Sequence, residues 1–214
     1  MTLQPELRFT THRNHYLFSD YYLTHRVAER QEWIELDARP HLDALRQLWA
    51  ERRAALVNAN EQQTEADWIR PVLSLLGHHF APQVSLSTPQ GVKTPDYILC
   101  PDEPTRTAVQ TLGRPAVEAD LAAALAVADA KAWDRPLDRS LPGAGVRTLH
   151  QHPGLQIDFY IRHSGLPWGL LTNGRLWQLF HQDSSKKLDV YYEVDLPALL
   201  EADDAEAFKY FWLF

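Results

Sequence analysis

With 214 residues, 45% of them hydrophobic, the chain carries enough apolar side chain for one folded domain with a substantial core plus an appended helical segment. No uninterrupted apolar run of about 18 residues occurs, and polar residues break up positions 1–11, which excludes a membrane-spanning helix and a secretory leader and makes the cytoplasm the expected compartment. Cys100 as the only cysteine excludes an intrachain disulfide and a cysteine-cluster zinc site, and the net charge of −7 excludes a chain that grips DNA unaided through an excess of Lys and Arg. Either the protein leaves nucleic acid alone, or it supplies chemistry while another region supplies most of the binding.

Residues 1–59 read as a mainly helical extension packed on a core. A helix is expected over 41–57, where Leu42, Leu45, Leu48, Trp49 and Leu56 recur at helical spacing. The aromatic run from Tyr16 to Leu23 reads as packing surface, since aromatic side chains mainly supply buried area. A second helix starts near Asn60, a cap residue with Gln63 three positions on, and stops at Gly77; Pro71 inside it calls for a kink or a start only at Thr64. Strands are expected over 83–87, 96–100 and 125–131, with a helix over 117–124 between the last two. His152-Pro153-Gly154 opens a further helix that Gly165-Leu166-Pro167 closes. Strands over 168–172 and 176–181 are joined by Asn173-Gly174, the strongest short hairpin signal in the chain, and 190–196 is one more strand.

The segment 197–214 reads as a helical linker. Its five aromatic residues, Phe208, Tyr210, Phe211, Trp212 and Phe214, would expose much apolar surface unless something covers them, so the expectation is a polypeptide that continues into a downstream region.

Two strands carry acidic residues in apolar surroundings. Asp96 follows Pro95 directly, and in Leu125-Ala126-Val127-Ala128-Asp129-Ala130-Lys131 the period of two puts Asp129 and Lys131 on one face and alanines on the other. The alanine face lets a helix approach the sheet closely. Hydrolysis of a phosphodiester needs an activated hydroxide and neutralisation of the transition-state charge, and a hard divalent cation held by carboxylates provides both. Mg²⁺ suits this site because it keeps several waters and needs only one or two carboxylates, with Mn²⁺ as a substitute. Asp96 and Asp129 would hold the metal, and Lys131 would position the attacking water and offset phosphate charge. The histidine pairs His78-His79 and His150/His152 lack a third ligand, and Gly143 and Gly145 lack the Lys-Ser or Lys-Thr of a phosphate loop, so these read as turns and connecting segments.

On Pro95-Asp96-Tyr97, Asp129-Ala130-Lys131-Ala132-Trp133, the helix from Asn60 to Gly77, and Pro167-Trp168-Gly169 through Asn173-Gly174, the chain resembles the PD-(D/E)xK nuclease superfamily. It is most similar to the amino-terminal nuclease region of single-chain type II restriction-modification enzymes, with Leu17–Leu23, Tyr192–Leu196 and Glu206–Phe211 extending the likeness. The resemblance implies an α/β fold with a restriction-endonuclease-like core of helix, three strands, helix and strand spanning 60–196, plus an added C-terminal hairpin. It implies Asp96, Asp129 and Glu61 as metal ligands, Lys131 as the catalytic lysine, and Gln156 with Tyr160 beside the site; Glu65, one helical turn after Glu61, competes with it. Implied partners are double-stranded DNA, methyltransferase and target-recognition regions of the same parent polypeptide, and a transient second copy for double-strand cleavage. S-adenosylmethionine would bind only downstream. The implied activity is that of a Mg²⁺-dependent endonuclease of restriction-modification or phage defence. The alternative is a catalytically silent domain of the same fold that positions DNA or assembles a complex. Asp129 stands where most such enzymes carry Glu, and its shorter side chain bears on metal position and affinity.

Overall fold

The computed structural model describes residues 11–139, 152–185 and 188–213. Gly143, Gly145, His150 and Phe214 lie outside them. The alternation at 125–131 sets the layering: Ala126, Ala128 and Ala130 join one buried cluster and Val127 the opposite one. Both faces of that strand are therefore covered, and the sheet is the middle of three layers.

Seven strands form the sheet: β1 (His12–His15), β2 (His79–Pro82), β5 (Tyr97–Cys100), β6 (Ala126–Ala130), β7 (Trp168–Thr172), β8 (Leu176–His181) and β9 (Tyr191–Asp195). Their order is β1-β9-β8-β7-β6-β5-β2, with β3 (Leu86–Thr88) and β4 (Gly91–Lys93) forming a separate small hairpin. Only β6 and β7 run parallel; every other pairing in the sheet is antiparallel. The parallel pair needs a crossover, and the helix α4 (Pro153–Ser164) provides it.

One face is covered by α1 (Ala38–Leu56), by the helical run 61–75 (α2), and by α5 (Leu196–Ala202) and α6 (Ala205–Leu213). The other is covered by α3 (Glu103–Gln110), α4 and a 3₁₀ turn at Glu118–Leu121. Asn60 caps α2 through the expected capping box. Pro71 is accommodated without ending the helix, because the π-helical segment Glu65–Ile69 widens the turn just before the ring would meet the preceding carbonyl.

Several expectations are corrected. Of the strand placed at 83–87 only Leu86 and Ser87 are strand, in the separate β3–β4 hairpin; the strand that joins the sheet is His79–Pro82, and Gln83 with its left-handed backbone (φ +54°) ends that ladder. The helix placed over 117–124 is a single 3₁₀ turn, and α3 precedes it where no helix was expected. The 1–59 region is not only helical: His12–His15 pairs with β9 as an edge strand. The four described aromatic residues of the tail are covered: Phe208, Tyr210 and Phe211 are buried against α1 and the sheet, and Trp212 packs on His41. With these rings covered, apolar exposure no longer calls for a continuing chain. No helix of the described residues is long and apolar enough to cross a membrane.

The Asn173-Gly174 turn between β7 and β8 fastens the layers together. The Gly174 carbonyl accepts from the Trp68 indole at 2.7 Å and the Trp177 indole at 3.1 Å. At φ +81°, a Cβ on Gly174 would lie 3.0 Å from Trp133 and 3.1 Å from Thr64 and Trp68. Gly174→Ala is accordingly expected to cost about 2 kcal/mol, read as a lowered denaturant midpoint. An unchanged midpoint would show that the turn does not hold α2 against the sheet.

Candidate functional site

β5 and β6 are antiparallel neighbours whose ladder ends at Tyr97 and Ala128, so the next residues of each, Asp96 and Asp129, emerge side by side at one end of the sheet. Parity puts them on the α4 face: Ile98 and Val127, two positions away from each, belong to the cluster on that side. Asp96 Oδ2 accepts from the Ala130 N–H at 2.7 Å, giving that donor a partner beyond the end of the ladder. Its other oxygen accepts from Gln83 Nε2 at 3.0 Å.

Lys131 continues the line of β6, its N–H donating to the Thr172 carbonyl at 2.8 Å. Its ammonium forms an ion pair with Asp129 Oδ2. Both side chains are almost fully buried, Asp129 at 2% and Lys131 at 5% exposure. Apart from that ion pair, Asp129 Oδ2 has no hydrogen-bond partner. Burial pushes the Asp129 carboxyl up to about 7; Lys131 opposes the rise, and the neighbouring Asp96 carboxylate adds to it. One ammonium does not offset desolvation together with a second carboxylate, so the site is short of positive charge.

Gln156 and Tyr160 stand one turn apart on α4 and reach the same place. Gln156 Nε2 donates to Tyr160 Oη at 3.3 Å, and Tyr160 Oη donates to the Thr94 carbonyl at 3.3 Å, two residues before Asp96. Burial raises the Tyr160 hydroxyl against the bond from Gln156, and Asp129 and Asp96 are close enough to raise it further.

On α2 the two glutamates separate. Glu61 is half-buried at the first helical position and its carboxylate makes no hydrogen bond or ion pair among the described residues. Glu65, buried in the π-helical turn, accepts from Tyr97 Oη and lies 3.4 Å from Arg70 Nη2, while Arg70 Nε donates to the same Tyr97 oxygen at 3.1 Å. Burial raises the Glu65 carboxyl, Tyr97 and Arg70 lower it, and the charge of Asp96 raises it. Asp96 is thus near enough for its charge to act on Glu65.

The structure brings together Asp96, Asp129, Lys131, Gln156 and Tyr160, places Glu65 at their margin, and leaves Glu61 without a contact to them. Among the described residues no three His, Cys, Asp or Glu side chains gather tightly enough to enclose an ion by themselves. His79 pairs at the surface with Glu103, and His152 takes the N-cap position of α4. Sequence reasoning did not single out Gln83, Arg70 or the Thr94 carbonyl. No local pattern announces them, because each acts through an element distant in sequence.

No protein-family model, no curated protein and no solved structure matches this chain.

Proposed function

We propose that this chain is a divalent-cation-dependent nuclease of the PD-(D/E)xK kind, hydrolysing phosphodiester bonds of double-stranded DNA on a restriction-endonuclease-like core. The observation that carries the reading is the convergence of Asp96, Asp129 and Lys131 on one face at the end of β5 and β6, with Gln156 and Tyr160 against them. The succession of α2, antiparallel strands, α4 and the parallel strand β7 supports the same core.

The donor set fits Mg²⁺, or Mn²⁺ in its place: hard carboxylate oxygens, one of them buried and met only by the Lys131 ammonium, in a pocket short of positive charge. Asp96 and Asp129 would hold the ion, with Glu65 the helix carboxylate within reach of Asp96. Such an ion supplies charge neutralisation at the scissile phosphate and lowers the pKa of a bound water. The chain's own groups do the rest. Lys131, drawn off Asp129, presents an ammonium that orients the attacking water and balances charge building on the phosphate oxygens. Tyr160 and Gln156 wall the α4 side of the site and keep the strand ends in place.

The negative charge adds a second part to the proposal. DNA grip and target choice come from regions joined to this chain, namely a methyltransferase with its S-adenosylmethionine and a target-recognition region, as in restriction-modification and phage-defence enzymes. The closure of Lys131 on Asp129 favours a second reading, a silent module in which the pair is a structural plug. Calorimetric titration of Mn²⁺ separates the two. A nuclease site binds Mn²⁺ with an affinity that falls at least about tenfold in Asp96→Asn; a silent module shows no binding that depends on Asp96.

A further inference from the structure

Gln83 occupies a backbone conformation that its side chain does not favour. Its φ of +54° lies in the left-handed region, which non-glycine residues rarely enter, with asparagine and aspartate the usual exceptions. Two contacts go with this geometry, and both run to the same residue. The Gln83 N–H donates to the Asp96 carbonyl at 3.0 Å, and Gln83 Nε2 donates to Asp96 Oδ1 at 3.0 Å. The left-handed turn ends β2 one residue past Pro82, whose partner is Tyr97, so the chain leaves the ladder with the Gln83 amide over the Asp96 carboxylate. Both Asp96 oxygens are then occupied by donors, Ala130 N–H on one and Gln83 on the other, and the carboxylate has one orientation. Strained backbone of this kind persists where the surrounding structure demands it, often beside a reacting centre.

We infer that Gln83 is the positioning residue of the site: its amide orients the Asp96 carboxylate that receives the divalent cation. The inference rests on the proposed metal-dependent reading. A donor on the far oxygen of a ligating carboxylate tunes its orientation, and loss of such a partner typically weakens metal affinity by about 10–100-fold.

The test uses backbone strain to separate positioning from stability. Gln83→Gly relieves the left-handed strain while deleting the amide, so it should unfold at the same temperature as the parent protein or higher, yet bind Mn²⁺ at least about tenfold more weakly by calorimetry. Gln83→Asn, which tolerates the same backbone and keeps an amide, should recover part of that loss. A Gln83→Gly protein that binds Mn²⁺ as tightly as the parent overturns the positioning role. If the parent itself binds no Mn²⁺ through Asp96, the metal-dependent reading fails, and the positioning role fails with it. The contact has its own readout without metal: the side-chain amide signals of Gln83 in NMR should shift in Asp96→Ala, and unmoved signals would also overturn the inference.

Discussion

Replacing Lys131 with methionine is expected to lower Mg²⁺-dependent cleavage of supercoiled plasmid by about a thousandfold, and Asp129→Ala should do the same. Under the proposed function, the magnitude follows from removing a charge aimed at the transition state, or a ligand of the ion that offsets it, within a site shielded from water. Stability must be separated from chemistry. Methionine at 131 leaves Asp129 buried without its counterion, and breaking a buried pair by removing one partner costs about 3–5 kcal/mol where the remaining group stays charged. Asp129 escapes part of that cost by taking up a proton, as its raised pKa allows. The double variant Asp129→Asn with Lys131→Met leaves no buried charge at the pair, so it should recover thermal stability while remaining inactive. Cleavage at the parent rate by the folded double variant, in a polypeptide containing this chain and able to cut DNA, would remove these residues from the mechanism.

The second expected result concerns pH. Asp129 is held at about 7 in the folded protein against 3.8 for the ordinary side chain. Between those values the folded state keeps a proton that the unfolded state has released, so the unfolding free energy falls as pH rises. The stabilising contribution is fully present below about pH 3.8 and is lost by about pH 7, at up to about 1.4 kcal/mol for each pH unit. Surface carboxylates such as Glu103 and the half-buried Asp120, lowered by Arg106 and Arg114, slope the other way, so the parent should be compared with Asp129→Asn. Across denaturant midpoints measured from pH 4 to 8, the parent should lose stability with rising pH more steeply than Asp129→Asn, on top of the constant penalty the variant carries for leaving the buried Lys131 ammonium without its counterion. Parallel curves would mean that Asp129 is ionised throughout and that Lys131 alone offsets its burial.

The two results bear on one another. A carboxyl costly to ionise in the folded protein is stabilised by any added cation, so a divalent ion should flatten the alkaline arm of the parent curve and leave that of Asp129→Asn unchanged. The site's electrostatic deficit then becomes visible as a stability effect even where cleavage awaits a DNA-binding partner.

Much of the fold was legible wherever the signal is local. The capping box at Asn60 and Gln63, the stops at Gly77 and Gly165, and the Asn173-Gly174 hairpin are set by backbone hydrogen bonding and turn chemistry within a few residues, and the structure has each of them. The alternation at 125–131 was legible for the same reason, since a strand alternates faces whatever lies above it. It put Asp129 and Lys131 together correctly, although not their direct contact, which depends on the burial that forces the ammonium onto the nearest carboxylate.

What the sequence by itself determined is the helices α1, α2 and α4 with the helical tail, the central strands, and the face on which Asp129 and Lys131 lie, because period, caps and turns act over a few residues. Only the tertiary structure decided the rest. His12–His15, polar throughout, becomes a strand because β9 offers it an open edge about 180 residues away. The aromatic helix α6 folds back because α1 and the sheet present an apolar face large enough to bury it. Glu65 bonds Tyr97 because the π-helical turn that accommodates Pro71 aims it there, and Gln83 meets Asp96 because β2 ends beside β5. In each case the deciding contact joins residues distant in sequence, and no local pattern encodes which distant surface will be there to meet it.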